Sequence, residues 1–340
     1  MATIRSIAEA ANVSRGTVDK VLNDRPGVST AVRERVRLIA EEMGYKPNLA
    51  GKALAFQKKE IRIGILVPSA ADPLFLEVFE GVRRGIAEYA NFGIQFEVVE
   101  MTRNTAEHQL VCIRSLQEKK ISGLVISPFD DEQVRKVLLE FREQAIPVVT
   151  FNTDVSGIGR LCYVGQDSRK SGRVAADLMR KILPPGSSIV CITGPAVFKS
   201  LSDRLAGFRS LIKAECPDLM LAAVLHNENN SESAYQVTRD YLRSGKTADA
   251  FYMTSSGIDG MVRAIRQFGK PGTRVVCFDL IPSTRQLMHD GLIDFSILQE
   301  PQKQGYEPIK ILVDLLFYNR KVTEKYQFTR IDIRTKENID

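Results

Sequence analysis

From Ile61 to Leu298 the chain repeats one pattern: a short β-rich run, a stretch with helical apolar spacing, then another run. The runs are Ile61 to Val67, Ile94 to Val99, Leu124 to Ser127, Val148 to Phe151, Ile189 to Thr193, Leu221 to Leu225, Ala250 to Met253, Val275 to Phe278 and Ile297 to Leu298. Continuous apolar runs alternating with amphipathic helices point to parallel sheets covered on both faces. This much chain predicts two such α/β subdomains rather than one. In open sheets of this kind a ligand crevice lies beyond the carboxyl ends of the strands. The residues to inspect are therefore those that follow each run.

Those residues are Asp72 and Phe75, then Asn152, Thr153 and Asp154, then Thr254, Asp279 and Gln299, with Arg204 just ahead of Gly207-Phe208. Carboxylates, amides, one guanidinium and an aromatic ring are the usual kit for a sugar, giving directional bonds to hydroxyls and a plate for the C–H face. Taken singly, an Asp after a strand is more often a helix cap and a Phe a core residue, so the joint placement carries the reading. Arg204 is the one clear anion partner in the set, which argues against a phosphorylated ligand.

The N-terminal segment follows a different rule. Ile4, Ile7, Ala8 and Ala11 recur at helical spacing, Asn12-Val13 makes a turn, and Val18, Val21 and Leu22 resume the stripe. Thr3 and Ser14 are good N-caps, because a hydroxyl can take a backbone N–H that a helix start leaves unpaired. A third helix is predicted with Ser29 as cap, Val32, Val36, Ile39 and Met43 on one side, and Gly44 at its end. With the apolar groups turned inward, Arg15, Gly16, Asp19 and Lys20 are left outward on the second helix. A helix presented this way suits the DNA major groove.

Charge agrees with that division. Residues 1–60 hold eleven Lys/Arg against seven Asp/Glu, an excess of four, which leaves two of the total +6 for the other 280 residues. The excess fits phosphate contact near the N-terminus and a nearly neutral body. The chain has no signal-peptide pattern at its start and no run of 18 apolar residues, so a cytoplasmic protein without membrane contact is expected. Cys112, Cys162, Cys191, Cys216 and Cys277 are scattered and odd in number, which favours buried free thiols over disulfides or zinc. His108, His226 and His289 are far apart and read as surface residues. GxSxG, Walker A and metal-ligand patterns are absent, so no catalytic residue, metal or cofactor is assigned and an enzyme is not expected.

The N-terminus resembles that of the lactose-repressor (LacI/GalR) family of bacterial transcription regulators. The matching residues are Thr3-Ile4, Ile7-Ala8, Val13-Ser14, Thr17-Val18, Val21-Leu22-Asn23, Val28-Ser29, Arg33, Val36, Gly44-Tyr45 and Pro47-Asn48, in family order without gaps. The resemblance implies that the helix from Arg15 to Leu22 enters the major groove, with Arg15, Gly16 and Lys20 selecting sequence. Thr3, Ser14, Thr17 and Asn23 complete the expected DNA contacts, Ser14 and Thr17 as phosphate partners. Arg15 could fork onto guanine, a contact typically worth about 1 to 3 kcal/mol of discrimination. Asp19-Lys20 stands where many members have Ser-Arg, so their operator preference does not carry over.

Pro47 to Leu54 occupies the family's hinge, which in relatives becomes a helix on operator DNA, with Leu54 as a minor-groove wedge and Lys52 near phosphate. Gly51 stands where relatives usually have Ala and weakens such a helix by about 0.5 to 1 kcal/mol. Gly51→Ala should therefore tighten operator binding in a salt-controlled titration, and unchanged or weaker affinity would count against a hinge that folds on DNA.

The body resembles the periplasmic sugar-binding domain of the same regulators, on Ile63-Gly64-Ile65 with Asp72-Pro73 and Phe75, Ile146-Pro147-Val148-Val149, Arg204-Leu205-Ala206-Gly207-Phe208, Phe278-Asp279 and Gln299-Glu300-Pro301 with Gly305. By that likeness Asp72, Phe75, Asn152, Thr153, Arg204, Thr254, Asp279 and Gln299 fall on ligand-contact positions. The expected organisation is an all-α helix-turn-helix headpiece over 1–46, a hinge and linker over 47–60, and a ligand-binding domain over 61–340. The last divides into an N-subdomain (61–166 and 300–326) and a C-subdomain (167–299 and 327–340), with crossings near Gly165 to Asp167, Gln299 to Pro301, and Lys325 to Tyr326. The function implied is a transcriptional regulator, read as a repressor, whose hold on double-stranded operator DNA responds to a small sugar-like ligand, working as a homodimer. The alternative is a sugar receptor with no regulatory role, which the headpiece and the missing export signal argue against.

Overall fold

A computed structural model describes residues 3–22, 27–44, 60–69 and 72–339. Three helices come first: α1 (Ile4–Ala10), α2 (Arg15–Leu22) and α3 (Thr30–Glu42). Thr3 opens α1 with a capping box, its Oγ1 accepting from Ser6 N at 3.1 Å while Ser6 Oγ accepts from Thr3 N at 2.9 Å. Ser14 Oγ likewise accepts from Thr17 N at 3.0 Å at the start of α2. Ile7, Ala8, Ala11, Val18, Val21, Val36 and Ala40 form one buried cluster.

Two expectations change at α3. Ser29 holds the N-cap position, but its hydroxyl accepts no cap hydrogen bond. Met43 is exposed rather than part of the stripe, which ends at Ala40. The thirteen residues of α3 outrun the seven and eight of its partners, and among the described residues its buried face ends at Ala40, before the C-cap Met43. Gly44 then takes the left-handed conformation (φ 59°) that ends many helices.

The body begins with β1 (Arg62–Val67), α4 (Pro73–Tyr89), β2 (Gln95–Glu100), α5 (Ala106–Glu118), β3 (Gly123–Ile126), α6 (Glu132–Glu143), β4 (Val148–Phe151) and β5 (Cys162–Gly165). It continues with α7 (Ser168–Ile182), β6 (Ser188–Thr193), α8 (Lys199–Glu215), β7 (Met220–His226), α9 (Ser231–Arg243), β8 (Ala250–Met253), α10 (Ile258–Phe268), β9 (Arg274–Phe278), α11 (Pro282–His289) and β10 (Phe295–Leu298). The chain closes with α12 (Pro301–Leu316), β11 (Tyr326–Phe328) and β12 (Asp332–Arg334). Two six-stranded sheets result, ordered β2-β1-β3-β4-β5-β11 and β7-β6-β8-β9-β10-β12. All neighbours run parallel except β12, which is antiparallel to β10.

Period-two alternation splits each sheet between two helical layers. Ile63, Ile65 and Val67 face α4 and α12, while Leu66, Leu124 and Ile126 face α5 and α6. In the second sheet Cys191, Tyr252 and Phe278 pack with α7 and α8, and Val190, Ile192 and Phe251 with α9 and α10. The α7/α8 crossing is close enough that a Cβ on Gly207 would overlap the Arg169 carbonyl, and one on Gly172 the Arg204 carbonyl.

The chain passes between the sheets after β5, after β10 and after β11. The third passage corrects the expected one at Lys325 to Tyr326: Tyr326–Phe328 pairs with β5 of the first sheet, so residues 327 and 328 belong there. The parallel ladder from Tyr326 to Gly165 is what holds them. All five cysteines are free and buried. Among the described residues no three His, Cys, Asp or Glu side chains are grouped to hold a metal, and no helix is long and apolar enough to cross a membrane.

Candidate DNA-facing helix and ligand cavity

On α2 the side chains split by burial. Val18 and Val21 are buried, Thr17 and Asp19 half-buried, and Arg15, Gly16 and Lys20 exposed, with Ser14 exposed just ahead of them. Ser14 Oγ also lies 2.9 Å from Thr17 Oγ1, so the two hydroxyls form one polar unit at the helix start. The exposed face therefore offers two cations and a helix N-terminus, which together attract phosphate. Asn23, Lys52 and Leu54 lie outside the described residues.

A gathering of polar groups lies between the two sheets, beyond their strand ends. Asp72 follows β1 and caps α4, its Oδ1 accepting from Leu74 N at 3.1 Å. Asn152 follows β4, Asn229 follows β7, Thr254 to Ser256 follow β8, Asp279 follows β9 and Gln299 follows β10. Phe198, Ser200, Leu201 and Arg204 come from the start of α8, and Leu74 and Phe75 from α4. All of these line one cavity of about 50 Å³. Asn152, Asn229 and Asp279 hold positive φ values of 60°, 59° and 65°. Asn and Asp tolerate that conformation best after glycine, and it aims the side chain out of the strand direction.

Arg204 is the centre of the cavity and is only 4% exposed. Its guanidinium lies 3.6 Å from the centroid of Phe278 and donates through Nη1 to Thr254 O at 2.9 Å, while Nε has no partner. Burial lowers its pKa, opposed by the nearby Asp279 carboxylate. Asp279 is pushed up to about 6 by burial, against the pull of Arg204 and of Gln299 Nε2, which donates to its two oxygens at 2.9 and 3.1 Å. Burial also raises Asp72.

Several bonds join the subdomains across this cavity. Ser256 Oγ donates to Asp72 Oδ2 at 3.0 Å, Ser200 N to Thr153 Oγ1 at 3.3 Å, and Asp130 N to Val197 O at 2.8 Å. Phe198 also meets Phe129 edge-on at 5.0 Å. The enclosed volume is far below the roughly 300 Å³ at which ligand pockets begin. A sugar-sized ring therefore enters only when these bonds part.

Known proteins resemble both parts of the chain. Residues 63–320 match the family described as periplasmic binding protein domain, and residues 3–48 match the bacterial regulatory proteins of the lacI family. The chain belongs to the periplasmic binding protein domain family, and its first residues carry a lacI-family regulator domain. It is a DNA-binding transcriptional regulator with a periplasmic-binding-protein body. The ribose operon repressor of Halalkalibacterium halodurans is 26% identical over 298 residues, 85% of this chain and 83% of the relative. The regulator CelR of Thermobifida fusca is 26% identical over 319 residues, covering 92% and 91% of the two chains. A glucose-galactose binding protein from Geobacillus stearothermophilus shares the fold, with a TM-score of 0.75 at 21% identity over 82% of this chain and 99% of that one.

Within this regulator the structure brings together seven of the nine residues expected at ligand contact: Asp72, Phe75, Asn152, Arg204, Thr254, Asp279 and Gln299. Thr153 and Asp154 do not join them. Thr153 is buried against Ser200, and Asp154 turns away to a two-pronged pair with Arg160, at 2.6 Å for both bonds. Phe198, Ser200, Leu201, Asn229 and Ser256 line the cavity without having been picked. The strand-end rule, applied after Ile189 to Thr193 and Leu221 to Leu225, reaches the neighbourhood of the first four, and Ser256 lies three residues past the Ala250 to Met253 run.

Proposed function

We propose that the cavity binds a small uncharged polyol, a sugar or cyclitol, and that its occupancy sets the affinity of the headpiece for operator DNA. The observation that carries this is the cavity's polar set: two carboxylates, one guanidinium with an unpartnered Nε, three amides, and hydroxyls beside Phe75 and Phe198. Two acids against one base disfavour an anionic ligand, while O–H groups can donate to Asp72 and Asp279 and accept from Arg204. The name of the ribose operon repressor supports the same ligand class. In this reading the subdomains part around their three crossings to admit the ligand and close on it. Headpieces of a homodimer are thereby re-spaced on a two-fold-symmetric site, with Leu54 as the expected wedge. Such a protein works in the cytoplasm, where the DNA is.

A melting-temperature screen of monosaccharides and cyclitols, followed by salt-controlled DNA titration with and without each hit, tests the proposal. Coupling is reciprocal, so a hit that shifts DNA affinity must have its own affinity shifted equally by DNA. Stabilising compounds that leave DNA affinity unchanged would overturn the regulatory half.

The pH dependence has a definite sign. Ligand hydroxyls donating to Asp279 favour its ionised form and so lower its pKa below about 6 in the complex. Affinity should be highest above pH 6 and fall as pH drops through that value. Calorimetry at pH 6 in buffers of different ionisation heat should register proton release on binding. Proton uptake would reverse the assignment of Asp279 as an acceptor.

A further inference from the structure

We propose that a second chamber, at the passages between the two subdomains, binds a hydroxylated ring of its own. It has a volume of about 300 Å³, and Ser200 lines both it and the first cavity. Tyr326 and Phe328 alternate along β11 and stack on each other at 5.4 Å and 19°, yet they remain 52% and 50% exposed. Such a pair is a ready plate for the C–H face of a ring.

The second observation is Gln166, which lines the same chamber and is 2% exposed. Its Nε2 donates to Leu298 O at 3.0 Å and to Arg330 O at 3.3 Å, which fixes the amide's orientation. Oε1 is then an acceptor, and it has no partner. A buried acceptor left alone is costly, so an occupant that donates there is favoured. Charge selects the occupant further. Asp154, Asp167 and Asp203 are matched in number by Arg160, Arg169 and Lys199 in or beside the wall, with Asp154 held by Arg160 and Asp203 by Lys199. A balanced wall with an aromatic plate and a free acceptor fits a neutral ring bearing O–H donors.

Tyr326 and Phe328 belong to the first sheet and Lys199 and Asp203 to α8 on the second, so an occupant would bridge both subdomains. The ring has two possible sources: one unit of a disaccharide whose other unit fills the first cavity, or a separate monosaccharide or cyclitol. The inference does not need the first cavity to take a sugar.

Titration calorimetry of the full chain with D-ribose, D-glucose, myo-inositol and cellobiose tests it, using Phe328→Ala, Tyr326→Leu and Leu74→Trp, the last filling the first cavity. Melting curves check that each variant folds. At least one probe should lose tenfold or more in affinity with both Phe328→Ala and Tyr326→Leu. If only cellobiose loses affinity, the occupant is the second ring of a disaccharide; if the affected probe still binds Leu74→Trp, it is a separate molecule. Affinities within twofold of wild type in both aromatic variants, or no heat from any probe at millimolar concentration, would overturn the inference. Loss in Leu74→Trp alone would leave the first cavity as a sugar site and remove the second.

Discussion

Gly207→Ala should lower the melting temperature of the body by about 6 to 12 °C, a destabilisation of about 3 kcal/mol. The added methyl has no room, because it would overlap the Arg169 carbonyl, and a backbone carbonyl in α7 cannot swing aside as a long side chain can. Relief requires α8 to move off α7. Leu205, Phe208, Leu211 and Ile212 of α8 are all buried in the same core, so that movement opens apolar contacts along the whole helix. It also moves Arg204, three residues away, out of its place over Phe278. Gly16→Ala is the matched control: the same methyl on exposed α2 meets only Ser14 Oγ at 3.7 Å, and a helical Gly→Ala change is neutral or mildly stabilising. A shift under about 2 °C for Gly207→Ala would mean that the two helices separate freely.

Arg204→Met should abolish the thermal shift given by any wild-type ligand, with an affinity loss of about 100-fold, while the DNA affinity of the ligand-free form stays within a few-fold. Hydrogen bonds to charged groups contribute about 1.5 to 3 kcal/mol each, and one or two to a ligand oxygen account for that loss. Met fills most of the volume, so the plate over Phe278 is retained and folding is tested as little as possible. Arg204→Lys should lose nearly as much. A single ammonium cannot lie flat on Phe278, bond Thr254 O and present Nε to a ligand at once. Affinity within threefold of wild type in Arg204→Met would remove Arg204 from the site.

The fold was legible wherever apolar period and length agreed. All nine expected runs became strands within two residues of their expected ends, and the helix from Arg15 to Leu22 has the expected bounds. The strands that escaped had weak patterns of their own. Cys162–Gly165 is four residues long after a turn-rich stretch, and Tyr326–Phe328 and Asp332–Arg334 are three residues each, with exposed or half-buried faces. Their pairing is decided by distant partners, and this is why the third passage between subdomains was placed three residues early. At the cavity, residue type and strand-end position found Asp72, Asn152, Asp279 and Gln299. The same rule could not see that Asp154 has a nearer partner in Arg160, or that Thr153 is taken by Ser200. Those facts depend on which way a loop turns after its strand.

The buried cysteines divide unevenly: Cys112 and Cys162 pack with the first sheet, Cys191, Cys216 and Cys277 with the second. Burial pushes the Cys162 and Cys277 thiols up to about 11 and about 12, so the folded chain should resist alkylation at neutral pH. Each half then carries its own chemical clock. Pulse labelling followed by mass analysis would add two tags when one half opens and three when the other does, timing their loss of structure separately without any engineered reporter.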